Sequence, residues 1–161
     1  MWIVGVGFRE GQADPLGRKT KSDILQLGLT GVGEIRTLQT YVIDGDLSEK
    51  NAEKIGHELL ADGVTQFFNY GRFDAGGKHV GNLVGRRGVW AIEVFSRPGV
   101  MDPVGLSVAK AIEVLGISGI SSVRTGTTFT ISGDLEESDV RKICEKSLAN
   151  GLIQTYSIQR L

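Results

Sequence analysis

Slid against itself, the chain meets its own image at one ungapped offset of 88 residues. Trp2 falls on Trp90, Asp14-Pro15 on Asp102-Pro103, Gly17 on Gly105, Leu27-Gly28 on Leu115-Gly116 and Arg36-Thr37 on Arg124-Thr125. The register continues through Gly45-Asp46-Leu47 and Gly133-Asp134-Leu135, then Lys54-Ile55 and Lys142-Ile143, and closes on Leu60-Ala61 with Leu148-Ala149 and Gln66 with Gln154. From Trp2 to Gln66, 25 of 65 aligned positions are identical, where unrelated chains of ordinary composition share about four or five. The chain is a duplication, so a fold assigned to one copy binds the other. A copy of about 70 residues is also small for an independent core, which gives the copies reason to pack on each other.

Each copy reads as strand, helix, central strand region, helix, strand. In the second copy Trp90 to Ser96 is β-branched and aromatic, and Asp102 stands before Pro103 as a cap residue before a first-turn proline. Val104, Val108, Ala111, Ile112 and Leu115 then share one helical face, and Gly116 ends the helix. Val123, Phe129 and Ile131 alternate with polar neighbours across Gly126, a pattern read as two tightly joined strands. A second helix runs from about Glu136 to Asn150 with Val140, Ile143, Cys144 and Leu148 on one face, and Leu152 to Ile158 is the last strand. The first copy repeats the plan with a more charged first helix, Arg18-Lys19-Thr20-Lys21.

The expected fold class is therefore α+β: two tandem βαββαβ repeats of ferredoxin-like plan, each with two helices on one face of an antiparallel sheet. Trp2-Ile3-Val4 and Val89 to Phe95 are apolar at both parities, so the second sheet face also needs a cover. The expectation is that the other copy provides it, with the repeats packed sheet to sheet as a pseudo-dimer. Repeat one is placed at 1–70, a linker at 71–88 and repeat two at 89–161. Residues 69–88 hold six glycines and a net charge of +3 (Arg72, Lys78, Arg86 and Arg87 against Asp74), the composition of a flexible connection.

With 18 Lys and Arg against 19 Asp and Glu, the net charge is −1, which argues against broad binding to nucleic acid or anionic lipid. No apolar run suggests a membrane span and Met1-Trp2-Ile3-Val4 does not open a signal peptide, so a cytoplasmic location is expected. One cysteine and two histidines leave no internal disulfide and no expected metal site. Gly5-Val6-Gly7-Phe8-Arg9 resembles the phosphate loop of acylphosphatases. The second copy has Glu93, Val94, Phe95, Ser96 and Arg97 there, and no asparagine lies between Thr30 and Lys50 to position a water, so the stretch reads better as a strand end. Gly76 to Gly81 lacks the Gly-Lys-Ser/Thr ending of a nucleotide loop. Cys144 reads as an inert core thiol and His57 as solvated. No catalytic residue and no cofactor site is expected. Asp14 and Asp102 are expected as helix caps. Arg9, Arg36, Arg97 and Arg124 recur in both copies and fit either partner contact or paired surface charge.

Arg97-Pro98-Gly99-Val100-Met101-Asp102-Pro103-Val104-Gly105, continued by Val108 to Leu115 and Val123-Arg124-Thr125-Gly126, resembles the PurS subunit of phosphoribosylformylglycinamidine synthase. So does Cys144 to Asn150 followed by Ile153-Gln154-Thr155-Tyr156. The first copy is similar but looser: it keeps Gly11, Asp14-Pro15 and Gly17, and has Leu38 where the second has Gly126. The resemblance implies a noncatalytic, fused-dimer subunit in purine biosynthesis. Its partners would be a synthetase subunit, carrying ATP and magnesium, and a glutaminase subunit that releases ammonia. The alternative is an ACT-type regulatory module, also βαββαβ, that binds an amino acid between its copies.

Overall fold

The computed structural model describes residues 1–161. Repeat one comprises β1 (Trp2–Phe8), α1 (Pro15–Gln26), β2 (Val32–Gly45), α2 (Glu49–Ile55) and β3 (Gln66–Arg72). After α3 (Lys78–Val84), repeat two follows as β4 (Trp90–Ser96), α4 (Pro103–Val114), β5 (Ile120–Gly133), α5 (Glu137–Ile143) and β6 (Gln154–Arg160). α2 and α5 each run on into a widened last turn, Gly56–Leu60 and Cys144–Leu148, closed by Ala61 N–H to Gly56 O and Ala149 N–H to Cys144 O. The six strands form one antiparallel sheet in the order β3-β1-β2-β5-β4-β6. No helix is long and apolar enough to cross a membrane.

The tandem α+β plan stands, with three details corrected. The central region of each copy is one continuous 14-residue strand, where two were expected. β2 offers Gln39 to Ile43 to β1 along one edge and pairs along its length with β5 on the other. Gly126 breaks nothing; it faces Phe95 in the ladder, and a Cβ there would lie 2.6 Å from the Phe95 ring.

Nor do the repeats pack sheet to sheet. They join edge to edge through β2 and β5, in a register that sets Gln39 opposite Thr127. Those two residues are 88 apart, so the pseudo-twofold axis passes between a position and its own image. Pairing the long edges satisfies a row of backbone N–H and C=O groups that face-to-face packing would leave open. Beside the axis the Thr40 and Thr128 hydroxyls, also 88 apart, hydrogen-bond at 2.8 Å in a fully buried position.

On the helical face the core crosses this seam. Ile112 of α4 packs with Trp2, Val4, Ile43 and Ile55 of repeat one. Reciprocally, Ile24 of α1 packs with Ile92, Phe129, Ile131 and Ile143 of repeat two. Each repeat's first helix thus gives its fully buried isoleucine to the other's core.

The opposite face corrects the third detail, because residues read as a flexible connection contain α3. Its Val80, Leu83 and Val84 lie on Ile3, Leu38, Val42 and Ala91. Spacing of i, i+3, i+4 gives a seven-residue helix one apolar stripe, and Gly77 and Gly85, both left-handed at φ +78° and +63°, bound it. The helix bridges the repeats. Leu83 lies over Gly5, where a Cβ would come within 3.5 Å of it, while His79 lies over Glu93, the residue 88 beyond Gly5.

Candidate functional site

The β1–α1 and β4–α4 loops carry the repeated polar residues. Asp14 Oδ1 accepts from Gly17 N–H at 2.8 Å, and Oδ2 accepts from Thr37 N–H at 2.7 Å. The Thr37 hydroxyl donates to the same carboxylate at 3.0 Å. Asp102 repeats all three contacts with Gly105 and Thr125, at 2.8, 2.7 and 3.0 Å. Each aspartate therefore caps its helix and ties the helix start to the central strand. Close approach follows: a Cβ on Gly17 would sit 2.5 Å from Ile35 O, and one on Gly105 2.3 Å from Val123 O. Glycine is the residue that fits.

The four recurring arginines divide. Arg9 donates to Gly63 O at 3.2 Å, and Arg97 donates through Nε and Nη2 to the equivalent Gly151 O at 3.1 and 2.9 Å. Arg36 gathers the β1–α1 loop, donating to the carbonyls of Phe8, Arg9 and Gln12 at 3.0 to 3.3 Å. The Arg124 side chain makes no hydrogen bond within the chain; its exposed guanidinium stands 6.0 Å from the Phe73 and Phe95 rings.

A second set of pairs carried no sequence expectation. The Trp2 indole donates to Leu47 O at 2.8 Å and Trp90 to Leu135 O at 3.2 Å. Arg72 and Arg160 lie over those indoles at 4.2 and 5.0 Å. Both pairs are 88 apart, so the repeat extends to the end of β3 and into the stretch assigned to the linker.

The most buried charge network belongs to α3. His79, 3% exposed, shares Nε2 with Glu93 at 3.0 Å, and its Nδ1 lies 3.4 Å from Asp74. Burial would lower the imidazole's pKa, but the hydrogen bond and charge of Glu93, then those of Asp74, outweigh it and hold it above the ordinary histidine value. Asp74 is desolvated in the opposing sense, yet the N–H groups of Lys78 and His79 and the His79 ring hold it below the usual carboxylate range. With both ring nitrogens engaged, this network pins α3 to the sheet. An acidic residue in the centre of an apolar strand, Glu93, was the available signal for it. Cys144 is buried, and burial pushes its thiol up to about 12, so it is an inert core residue at neutral pH.

A cleft of about 380 Å³ opens where the end of α3 meets the seam, lined by Phe8, Glu34, Arg36, Phe67, Arg86 and Thr130. Glu34 lies 3.3 Å from Arg86 and 3.9 Å from Arg36, so the cleft's cations are already answered.

These features define a class: a duplicated α+β module whose repeated polar residues mostly brace its own loops. The PurS family model, described as phosphoribosylformylglycinamidine (FGAM) synthase, matches residues 89–161, the second repeat. Phosphoribosylformylglycinamidine synthase subunit PurS of Mycobacterium leprae is 37% identical over 71 residues, covering 43% of this chain and 90% of that protein. The subunit of the same name from Archaeoglobus fulgidus is 39% identical over 67 residues, 38% of this chain and 84% of that protein. The one from Synechocystis is 33% identical over 75 residues, 42% and 73%. The chain belongs to the PurS family. Nearly a whole relative is matched by less than half of this chain, the proportion expected where one repeat corresponds to one relative.

Proposed function

We propose that this chain is a PurS subunit in fused-dimer form, a noncatalytic part of a phosphoribosylformylglycinamidine synthase. It holds a synthetase subunit and a glutaminase subunit together for ammonia transfer. The observation that carries the reading is the seam. Two PurS-like units are joined by pairing of two 14-residue strands about an axis between Gln39 and Thr127, inside a chain that matches subunits of that synthase. Ammonia made in one subunit and used in another is protonated and lost to bulk water unless the two sites are held close and shielded. A continuous six-stranded sheet with a crossed core supplies the rigidity for that task and requires no chemistry of its own. ATP, magnesium and glutamine belong to the partners in this reading. Of the four recurring arginines, Arg124 is left to face a partner, since the others hold backbone carbonyls.

The test is amidine formation by purified synthetase and glutaminase, with and without this chain, using glutamine or an ammonium salt as the nitrogen source. The chain should raise the glutamine-dependent rate and change the ammonia-dependent rate much less. Equal glutamine-dependent rates at saturating partners would refute the bridge.

A further inference from the structure

We propose that Asn150 is a site of spontaneous deamidation in the folded protein, converting to aspartate and isoaspartate through a cyclic imide formed with Gly151. Asn150-Gly151 heads the turn from the widened end of α5 into β6, and both residues are exposed. The reaction needs an electrophilic side-chain amide, a main-chain nitrogen free to attack it, and no side chain in the way. Glycine meets the last need, having no Cβ to block the approach. The Gly151 N–H and the Asn150 Nδ2 have no hydrogen-bond partner in the chain. Asn150 Oδ1 accepts from Leu152 N–H at 3.1 Å, which draws electron density from Cγ, the atom to be attacked. The Asn150 carbonyl accepts from Gln154 N–H at 2.8 Å and Ile153 N–H at 3.1 Å. Those two donors stabilise negative charge on the Asn150–Gly151 peptide unit, so the Gly151 nitrogen gives up its proton more readily. The turn borders a solvent-open hollow of about 390 Å³ lined by Arg97, Glu145, Gly151, Gln154 and Tyr156, through which water reaches it.

Water is the only co-reactant. Gly151 N bonds to Asn150 Cγ, the Cγ–Nδ2 bond breaks, and Nδ2 leaves as ammonia with the proton given up by Gly151. Water then opens the imide. Attack at Cγ restores the main chain and leaves aspartate; attack at the main-chain carbonyl carbon routes the chain through Cγ and leaves isoaspartate. The pseudo-twofold shows what the first product does to the fold. Asp62-Gly63 stands 88 residues before Asn150-Gly151. Asp62 Oδ1 accepts from Val64 N–H at 2.8 Å, Asp62 N–H donates to Gln66 Oε1 at 2.8 Å, and Arg9 holds Gly63 O at 3.2 Å. Asn150 makes the same contacts with Leu152 and Gln154, and Arg97 holds Gly151 O at 2.9 Å. The same turn therefore closes around a carboxylate, and aspartate at position 150 keeps it. Isoaspartate lengthens the main chain by a methylene and puts those bonds out of register. The remaining asparagines, Asn51, Asn69 and Asn82, lack the free glycine: the Ala52 N–H is bonded to Ser48 O, Tyr70 lies within β3, and Leu83 is fully buried.

The experiment holds the full-length protein in mildly alkaline, amine-free buffer and follows each asparagine over time by peptide-mapping mass spectrometry, with Tm read in parallel. A synthetic peptide spanning residues 148–156 in the same buffer sets the rate of the unfolded sequence. Acid should accumulate at Asn150, as aspartate and isoaspartate together, and not at Asn51, Asn69 or Asn82. Gly151→Ala, where a Cβ meets nothing within 4 Å, should keep the native Tm and slow the conversion several-fold. Asn150→Asp should fold with the native Tm. A folded protein still amidated at Asn150 when the peptide has fully converted shows that the turn protects the residue, and overturns the proposal. Conversion as fast in Gly151→Ala as in the native protein removes the imide route. A lowered Tm in Asn150→Asp breaks the equivalence with Asp62 and removes aspartate as a product the fold accepts.

Discussion

Substituting Asp14 by Asn separates two roles that its geometry combines. As helix caps Asn and Asp are about equal, so a carboxylate that only capped α1 would be replaced at little cost. Here the second oxygen is also committed, accepting from Thr37 N–H at 2.7 Å in a position 3% exposed. An amide has one acceptor oxygen. Whichever way the Asn side chain turns, its NH₂ faces either the Gly17 or the Thr37 N–H, donor against donor. Losing one hydrogen bond to a charged acceptor costs roughly 1.5–3 kcal/mol, and a buried N–H left without a partner makes the upper end the better estimate. Asp14→Asn should therefore lose about 2–4 kcal/mol, and Asp14→Ala, which removes the cap as well, about 1 kcal/mol more. The equivalent Asp102 is less buried, so Asp102→Asn should lose less than Asp14→Asn. Urea unfolding by circular dichroism reads this as a shift in midpoint at unchanged m-value. A loss under about 0.5 kcal/mol for Asp14→Asn would show that capping is its whole role and that the tie to β2 contributes nothing.

Two further outcomes are expected. His79 titrates above its unfolded value of about 6.5, so its contribution is complete below that pH and lost as pH rises through the raised folded value. Asp74 works in the opposite sense, present above about 3.9 and lost below. Protection of the α3 amides in hydrogen exchange should thus be greatest between about pH 4 and 6.5, and Glu93→Gln should flatten its decline on the alkaline side; an undiminished decline in that variant would remove His79 as the cause. Cleaving the chain between Asp74 and Gly77 and separating the repeats should give aggregates or dimers by light scattering. Each half would lose the isoleucine the other inserts, Ile112 or Ile24, and expose its central strand edge. Two stable monomers would contradict the crossed core.

Features that depend on local chemistry were legible. Asp-Pro before a helical period, glycine after it, and apolar residues at one helical face act within a few residues, and the structure has helices where they point. Features that depend on contacts far along the chain were not. Gly126 reads as a strand breaker when its neighbours in sequence are considered, but its function is to admit Phe95 from another strand. α3 has seven residues with a glycine inside, too short to be helical by propensity; burial of Val80, Leu83 and Val84 on the sheet stabilises it. Recurrence of Arg9 and Arg97 marked them as important without saying to what. A guanidinium serves a carbonyl of its own chain as readily as a partner's carboxylate, and the partners of these two are the turns at Gly63 and Gly151.

Departures between the copies carry as much information as the identities. Repeat one has Gly7 and Leu38 where repeat two has Phe95 and Gly126. Taken singly, each difference suggests a degraded copy. Taken together they are one exchange: a Cβ on Gly7 would lie 2.7 Å from the Leu38 side chain, and one on Gly126 would lie 2.6 Å from Phe95. Each repeat places one large and one small residue across neighbouring strands, in opposite order. Volume is kept while the surface above it changes, and that is the face on which α3 lies, with Leu83 over Gly5 and His79 against Glu93. A symmetric dimer of identical chains could not make these choices, because any residue suited to one end of a crossing helix would recur at the other. Joining the copies in one chain allows each half to differ. The family model matches residues 89–161, yet both copies carry residues committed to α3: Ile3, Leu38 and Val42 in one, Val89, Ala91 and Glu93 in the other.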